Sequence, residues 1–220
     1  MAARLDSLPE GPKWLVQLAS VIGIDFDQEI LKSLAGEMDV DSLLARLVEE
    51  GFFERIGGDS DGNYRFRHLL MREVAYHSLL RRDRKQLHEL TALSIEKTYS
   101  STLYLHAGRL SEHFYAAGNW DKALHYIYMA AEQAQKAYAC HEALILLDRA
   151  LETVTHLPQK ERGAHLVRIQ NKRGMLLYCV GNMEEARDSF GEMLTIAYLI
   201  QYYNWTAQFK EALKLCQKLR

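Results

Sequence analysis

The chain has 220 residues, 48% of them apolar and 25% charged, with only three prolines, a composition that buries a core and excludes a disordered or collagen-like polypeptide. Its net charge of −2 is unevenly spread: residues 1–63 carry net −8, residues 64–85 net +5 and residues 86–220 net +1. Three cysteines without a CxxC pair (Cys140, Cys179, Cys216) exclude a closed disulfide framework and read as reduced core thiols in apolar helical stripes.

The first 82 residues read as three helices and a hairpin. "GPKWLVQLASVIG" places Trp14, Leu15, Leu18, Val21 and Ile22 at helical spacing. "FDQEILKSLAG" opens on Asp27 as an N-cap and stops at Gly36. "DVDSLLARLVEEG" aligns Leu43, Leu44, Leu47 and Val48 and ends at Gly51. "FFERI", the turn "GGDSDGN" and "YRFRH" then give two short alternating runs around Gly and Asp, a hairpin signal. Three helices followed by a two-stranded wing is the winged-helix order.

From residue 69 onward the pattern is helical, and residues 83–220 read as an array of helix pairs. Within it "HFYAAGNWDKALHYIYMA" aligns with "LLYCVGNMEEARDSFGEM": Gly118-Asn119 matches Gly181-Asn182, Ala123 matches Ala186 and Ile127 matches Phe190. Small residues let paired helices approach while large ones fill the groove between them. The pattern resembles tetratricopeptide repeats, with Gly174 small in the first helix of the later unit. The expected fold is therefore mostly α: a winged-helix domain over 1–82, then an α-α superhelix over 83–220. The last helix lacks a polar capping partner, as though the array were cut short.

Catalytic motifs fail one by one. His88-Glu89 and His141-Glu142 each begin HExxH, but Ala92 and Ile145 stand where the second histidine belongs. "DSDGN" lacks the glycine and glutamate positions of a calcium loop. There is no GxSxG and no phosphate-cradling GxxxxGK[ST]. These absences predict a chain that is not an enzyme, with no metal and no cofactor in this segment. No apolar run approaches the ~20 residues of a membrane span, and "MAARLDSLPEGPKWL" lacks the apolar core of a signal peptide. The expected setting is cytoplasmic, away from membranes.

The segment "YRFRHLLMREVAYHSLLRRDRK" gathers seven basic residues against two acids, which suggests a phosphate-bearing partner. Duplex DNA is the first candidate for a winged helix. The third helix opposes it, offering Asp39, Asp41, Glu49 and Glu50 against one arginine, Arg46, on a face that a phosphate backbone would repel.

Taken in order, "VIGIDF", "LLARLVEEGFFER", "FRHLLMREVAY" and "AGNWDKAL" resemble the region downstream of the ATPase in STAND-type signalling proteins. The likeness is greatest to bacterial multidomain proteins that join a nucleotide-cyclase or kinase domain, an AAA-like ATPase and helical repeats. The resemblance implies a regulatory and protein-interaction module, its winged helix docked on its own ATPase domain and its repeats receiving a protein partner. ATP or ADP would sit in that neighbouring domain. In related proteins a histidine at a strand-to-helix join, in a methionine-histidine-aspartate motif, contacts ADP phosphates. Here His68 takes that position, with Arg67 before it and Leu69 after it where the motif has methionine and aspartate. Arg65 and Arg67 would add charge beside His68. The competing reading makes His68 a helix-start residue and the arginines a solvated surface that complements acidic residues 1–63. A DNA-binding transcriptional regulator with a repeat effector domain, and a free-standing repeat scaffold, remain the alternatives. Near the C-terminus Tyr198, Tyr202, Trp205 and Phe209 form an apolar stripe, expected to serve self-association or partner docking.

Overall fold

The computed structural model describes residues 2–57 and 62–218, with side chains throughout except at 2, 203, 205, 207 and 209–218. It is mostly helical with one small antiparallel sheet, and it divides into two compact units, Met1–Asn119 and Trp120–Arg220.

The first unit opens with a short helix, α1 (Ala2–Asp6), then α2 (Glu10–Ile22), which is buried along Leu15, Val16, Leu18, Ala19, Val21 and Ile22. Strand β1 (Asp25–Asp27) leads directly into α3 (Gln28–Ala35), and α4 (Val40–Glu49) follows. Asp39 caps α4 by accepting from the Ser42 amide at 3.3 Å and the Ser42 hydroxyl at 2.6 Å. Asp27 stands at the N-cap of α3 but makes no side-chain cap bond, because its carboxylate is taken by Arg109 at 2.9 Å.

The expected hairpin is present as β2 (Phe53–Ile56) and β3 (Asn63–Phe66). The sheet has a third member, however: β1 pairs with the other edge of β3, so the order is β1-β3-β2. Three residues are too few to show alternation, which is why β1 leaves no periodic signal. Its placement is fixed by Phe26, which meets Phe53 edge-on at 4.9 Å, Phe66 at 5.9 Å and Tyr64 face-on at 5.9 Å. Phe53 and Phe66 close the group at 4.9 Å, and pairs of this geometry contribute about 1 kcal/mol each beyond their buried area.

After the sheet come α5 (Leu69–Ser78), α6 (Arg81–Thr98), a 3-10 turn over Leu103–His106 and α7 (Ala107–Ala117). Helices α2 and α3 both pack against α6, and α6 packs against α7. The compact unit thus takes in residues 83–119, which the sequence reading assigned to the repeat array.

The second unit is a run of helices: α8 (Trp120–Lys136), α9 (Cys140–Val154), α10 (Gln159–Cys179) and α11 (Met183–Lys218). Each packs on the next through a core that includes Leu124, Ile127, Ala131, Ala143, Leu147, Ala150 and Ile169. The small residues act as the sequence suggests. A Cβ at Gly174 would lie 2.8 Å from the Phe190 ring, and one at Gly163 would lie 2.8 Å from Ile200, so these glycines let α10 and α11 approach closely.

Four helix ends share one turn geometry, the end of α4 among them, where Gly51 has φ 74° and the Phe52 amide bonds to the Leu47 carbonyl at 2.9 Å. Gly118, Gly181 and Tyr138 have φ of 79°, 84° and 60°, and in each case the next amide bonds five residues back: Asn119 to Phe114, Asn182 to Leu177, Ala139 to Ala134, at 2.8–2.9 Å. This is the Schellman arrangement, whose left-handed residue is usually glycine. Tyr138 occupies that place with a side chain 91% exposed, a strained choice for a residue bearing a Cβ.

The cysteines do not all fit the core reading. Cys179, the last residue of α10, is exposed and Cys140 is half-buried, while the Cys216 side chain lies outside the described residues.

Candidate functional site

Along β3 the side chains alternate: Tyr64 and Phe66 enter the core, while Arg65 and the following Arg67 stay exposed. The two arginines then diverge. Arg65 lies opposite Asp25 of β1 and grips its carboxylate with two parallel bonds, Nε to Oδ1 at 2.6 Å and Nη2 to Oδ2 at 2.8 Å. That hydrogen bonding holds the Asp25 carboxyl below its usual range. Arg67 leans the other way, over Gly51, where an added Cβ would meet its Nη1 at 3.1 Å. Arg4 lies beside it and donates from Nη2 to the Glu50 carbonyl at 2.7 Å, so two guanidinium groups lie near the carbonyl end of α4.

His68 follows at the start of α5, with φ −134° and ψ 123°. Its backbone carbonyl accepts from the Met71 amide at 2.9 Å, but its imidazole makes no capping bond and is exposed. Leu69 and Leu70 beside it are 57% and 60% exposed. The join is therefore an open corner bearing one imidazole and two leucines. Arg67 adjoins it in sequence, whereas the Arg65 charge is neutralised within the sheet.

The rest of the basic segment has two fates. Arg72 donates to the Ser20 carbonyl at 3.1 Å, pairs with Glu73 at 2.9 Å and lies over the Tyr76 ring at 5.7 Å. Arg84 covers the same ring at 5.0 Å and reaches His77 Nδ1 at 3.4 Å. Both bind helices together. Arg81, Arg82 and Lys85, by contrast, make no ion pair or side-chain hydrogen bond among the described residues. They line an open cavity of about 480 Å³ with Gln86, Glu89 and Ala117.

Beneath this segment lies a polar chain that the sequence did not reveal. The Tyr76 hydroxyl is 2.9 Å from His88 Nε2, and His88 Nδ1 is 2.9 Å from His113 Nδ1. His113 also bonds to the Ile22 carbonyl, an acceptor only, so His113 must donate there. Its Nδ1 then accepts from His88, and His88 Nε2 accepts from Tyr76. A single proton order satisfies all three groups with both imidazoles neutral. Burial, reinforced by Arg72 and Arg84 around His88, lowers that imidazole to about 4. Burial, His88 and Arg109 lower His113 to about 3. The available signal was positional: His88 sits one step from the stripe Leu87, Thr91, Ala92 and Ile95, and His113 lies between Leu110 and Phe114. Residues 25 apart on different helices form no sequence motif.

A second unforeseen cluster surrounds Asp27. Arg109 pairs with it, and the Tyr99 hydroxyl bonds to it, with Tyr99 pushed up to about 12 mainly by burial and then by the Asp27 charge. His106 stacks on Tyr99 at 4.0 Å, and burial lowers its pKa.

In the second unit, Leu194, Tyr198 and Tyr202 recur at i, i+4, i+8 on α11, with Tyr198 69% and Tyr202 52% exposed. Phe190 and Ile200 of the same helix meet α10 at Gly174 and Gly163. The side chains of Trp205 and Phe209, expected to extend the stripe, lie outside the described residues.

Among the described residues no group of three His, Cys, Asp or Glu could hold a metal ion, and no helix is long and apolar enough to cross a membrane.

An uncharacterized protein of Rhizobium meliloti (strain 1021) is 25% identical over 189 residues, a match that takes in 83% of this chain and 18% of that protein. The chain thus spans less than a fifth of the length of the curated relative it matches. No family model and no solved structure matches.

Proposed function

We propose that this chain is a non-catalytic regulatory and protein-interaction module of a larger ATP-dependent signalling protein of the STAND type. In this reading the first unit contains a winged-helix domain that docks on a neighbouring nucleotide domain. The helices after it are tetratricopeptide-like repeats that receive a protein partner.

The observation that carries the proposal is the open corner at the strand-to-helix join. His68 is exposed and makes no cap bond, and the adjoining leucines leave apolar surface uncovered, as a surface awaiting another domain would. An imidazole N–H can donate a hydrogen bond to a phosphate oxygen, which suits a nucleotide sensor. The matched Gly-Asn turns after α7 and α10 support the repeat reading. The length of the relative agrees with membership of a longer protein. The exposed stripe at Tyr198 and Tyr202 would serve self-association or partner docking.

Duplex-DNA binding is the weaker alternative. Asp41 of α4 is engaged by Lys32 at 2.8 Å and Glu50 by Arg46 at 2.7 Å, but Glu49 remains exposed on that helix. Arg65, one of the few cations available to meet phosphate, is held by Asp25.

The test is His68→Ala in the full-length protein, with ADP dissociation and signalling output measured together. Faster ADP release with altered output is expected. Unchanged release and unchanged output would return His68 to a helix-start residue.

A further inference from the structure

In an acidic unit the cations find partners readily. Lys13 pairs with Asp6, Lys32 with Asp41, Arg46 with Glu50, Arg65 with Asp25 and Arg109 with Asp27. Arg67 and Lys97 make no ion pair or side-chain hydrogen bond among the described residues, and neither do Arg81, Arg82 and Lys85, which are set apart by lining one cavity together. Their position is unfavourable twice over. They repel one another, and they occupy the first turns of α6, where the helix dipole disfavours positive charge. Helix stability alone would select acids there, and Asp83 is the acid that the first turn carries among these cations. The three charges and the cavity they line point instead to an anion supplied from outside.

We propose that Arg81, Arg82 and Lys85 form a binding site for the polyphosphate group of a small phosphorylated molecule. Arg81 and Lys85 are one helical turn apart, about 6 Å along the axis, so the three cations fall within the span of a single di- or triphosphate. Guanidinium groups match phosphate oxygens with paired N–H donors, and the lysine adds a mobile point charge. Gln86 and Glu89 line the same cavity. Glu89 repels phosphate and accepts hydrogen bonds, so it faces the uncharged, hydroxyl- or amino-bearing part of the ligand.

Charge also decides the size of the ligand. Residues 1–119 together carry 14 basic and 18 acidic side chains, net −4. A long polyanion such as duplex DNA would meet that field along its length. A compact anion seated in the cavity feels chiefly the charges within a Debye length of about 10 Å. This site is separate from His68 and does not depend on the nucleotide-sensor reading.

The test is calorimetric titration of the whole 220-residue chain at about 0.1 M salt, where the Debye length is about 10 Å, with pyrophosphate, tripolyphosphate, ADP and ATP, and with a 20-base-pair duplex. Pyrophosphate and tripolyphosphate are expected to bind with Kd below about 1 mM, weakening about tenfold with each of Arg81→Ala and Lys85→Ala. Tighter binding of ADP or ATP than of the inorganic anions would assign a nucleotide as the source; equal binding would assign polyphosphate alone. Because the three side chains are exposed, the variants should melt no lower than the parent chain, so lost binding is separable from lost folding. Three results would overturn the proposal: no heat with any small anion, equal binding by the Arg81→Ala, Arg82→Ala, Lys85→Ala triple variant, or binding of the duplex alone.

Discussion

Replacing Gly174 by alanine sets two effects of known size against each other. In a helix interior, alanine is favoured over glycine by about 1 kcal/mol because it restricts the unfolded chain. At Gly174 the new methyl would sit 2.8–2.9 Å from three atoms of the Phe190 ring, closer than carbon atoms tolerate. The ring must swing out or α11 must move, and overpacking of this kind costs about 1–3 kcal/mol. The cost wins, and Gly174→Ala should lower the stability of the second unit by about 1 kcal/mol. Gly191→Ala is the matched control: it lies in α11 of the same unit, and its methyl would meet nothing within 4 Å. That substitution should stabilise by about 1 kcal/mol. Thermal unfolding followed by circular dichroism measures both, and for a unit of this length the two variants should separate by roughly 8–16 °C in Tm. If both variants stabilise equally, the close approach of α10 and α11 at Gly174 is refuted.

Two further outcomes follow from buried or strained groups. His88 and His113 titrate at about 4 and about 3 in the folded chain against 6.5 when unfolded, so below pH 6.5 the unfolded state binds two protons that the folded state refuses. Stability should therefore fall as pH drops, by up to about 3 kcal/mol per unit near pH 5, until each imidazole charges in place. Urea midpoints that stay flat from pH 7 to pH 5 would contradict the buried pair. Tyr138→Gly should raise stability by about 1 kcal/mol, because glycine adopts φ 60° without the Cβ clash. A drop in Tm would mean that the exposed ring packs in a way its surroundings do not indicate.

How much of this was legible in the sequence follows from the range of each interaction. The long helices and the β2–β3 hairpin announce themselves through periodicity and turn residues, which are local. So do Asp39 as a cap and the glycines at helix ends. Strand β1 does not, because what makes it a strand is Phe26 meeting Phe53 and Phe66, partners 27 and 40 residues away. The basic segment was visible as composition, but its division was not. Which arginines bind helices together, and which remain free, depends on where Ser20, Asp25 and Tyr76 come to lie in the fold. The His88–His113 contact was hidden for the same reason: histidine reads as polar in any pattern, and only the crossing of α6 and α7 turns two such residues into a buried pair.

The bond from Arg109 to Asp27 joins residues 82 positions apart, and it anchors the junction where β1 becomes α3. Until α7 is made, that aspartate has no guanidinium partner, and His88 has no second imidazole. During synthesis at 5–20 residues per second, the early helices and sheet would wait roughly 4–16 s between the appearance of Asp27 and that of its partner. A chain stopped near residue 82 would be held permanently in this waiting state, with α2 and α3 exposing the apolar faces that α6 covers. Closure of the first unit thus waits for α7, a delay set by the distance between two residues in the sequence.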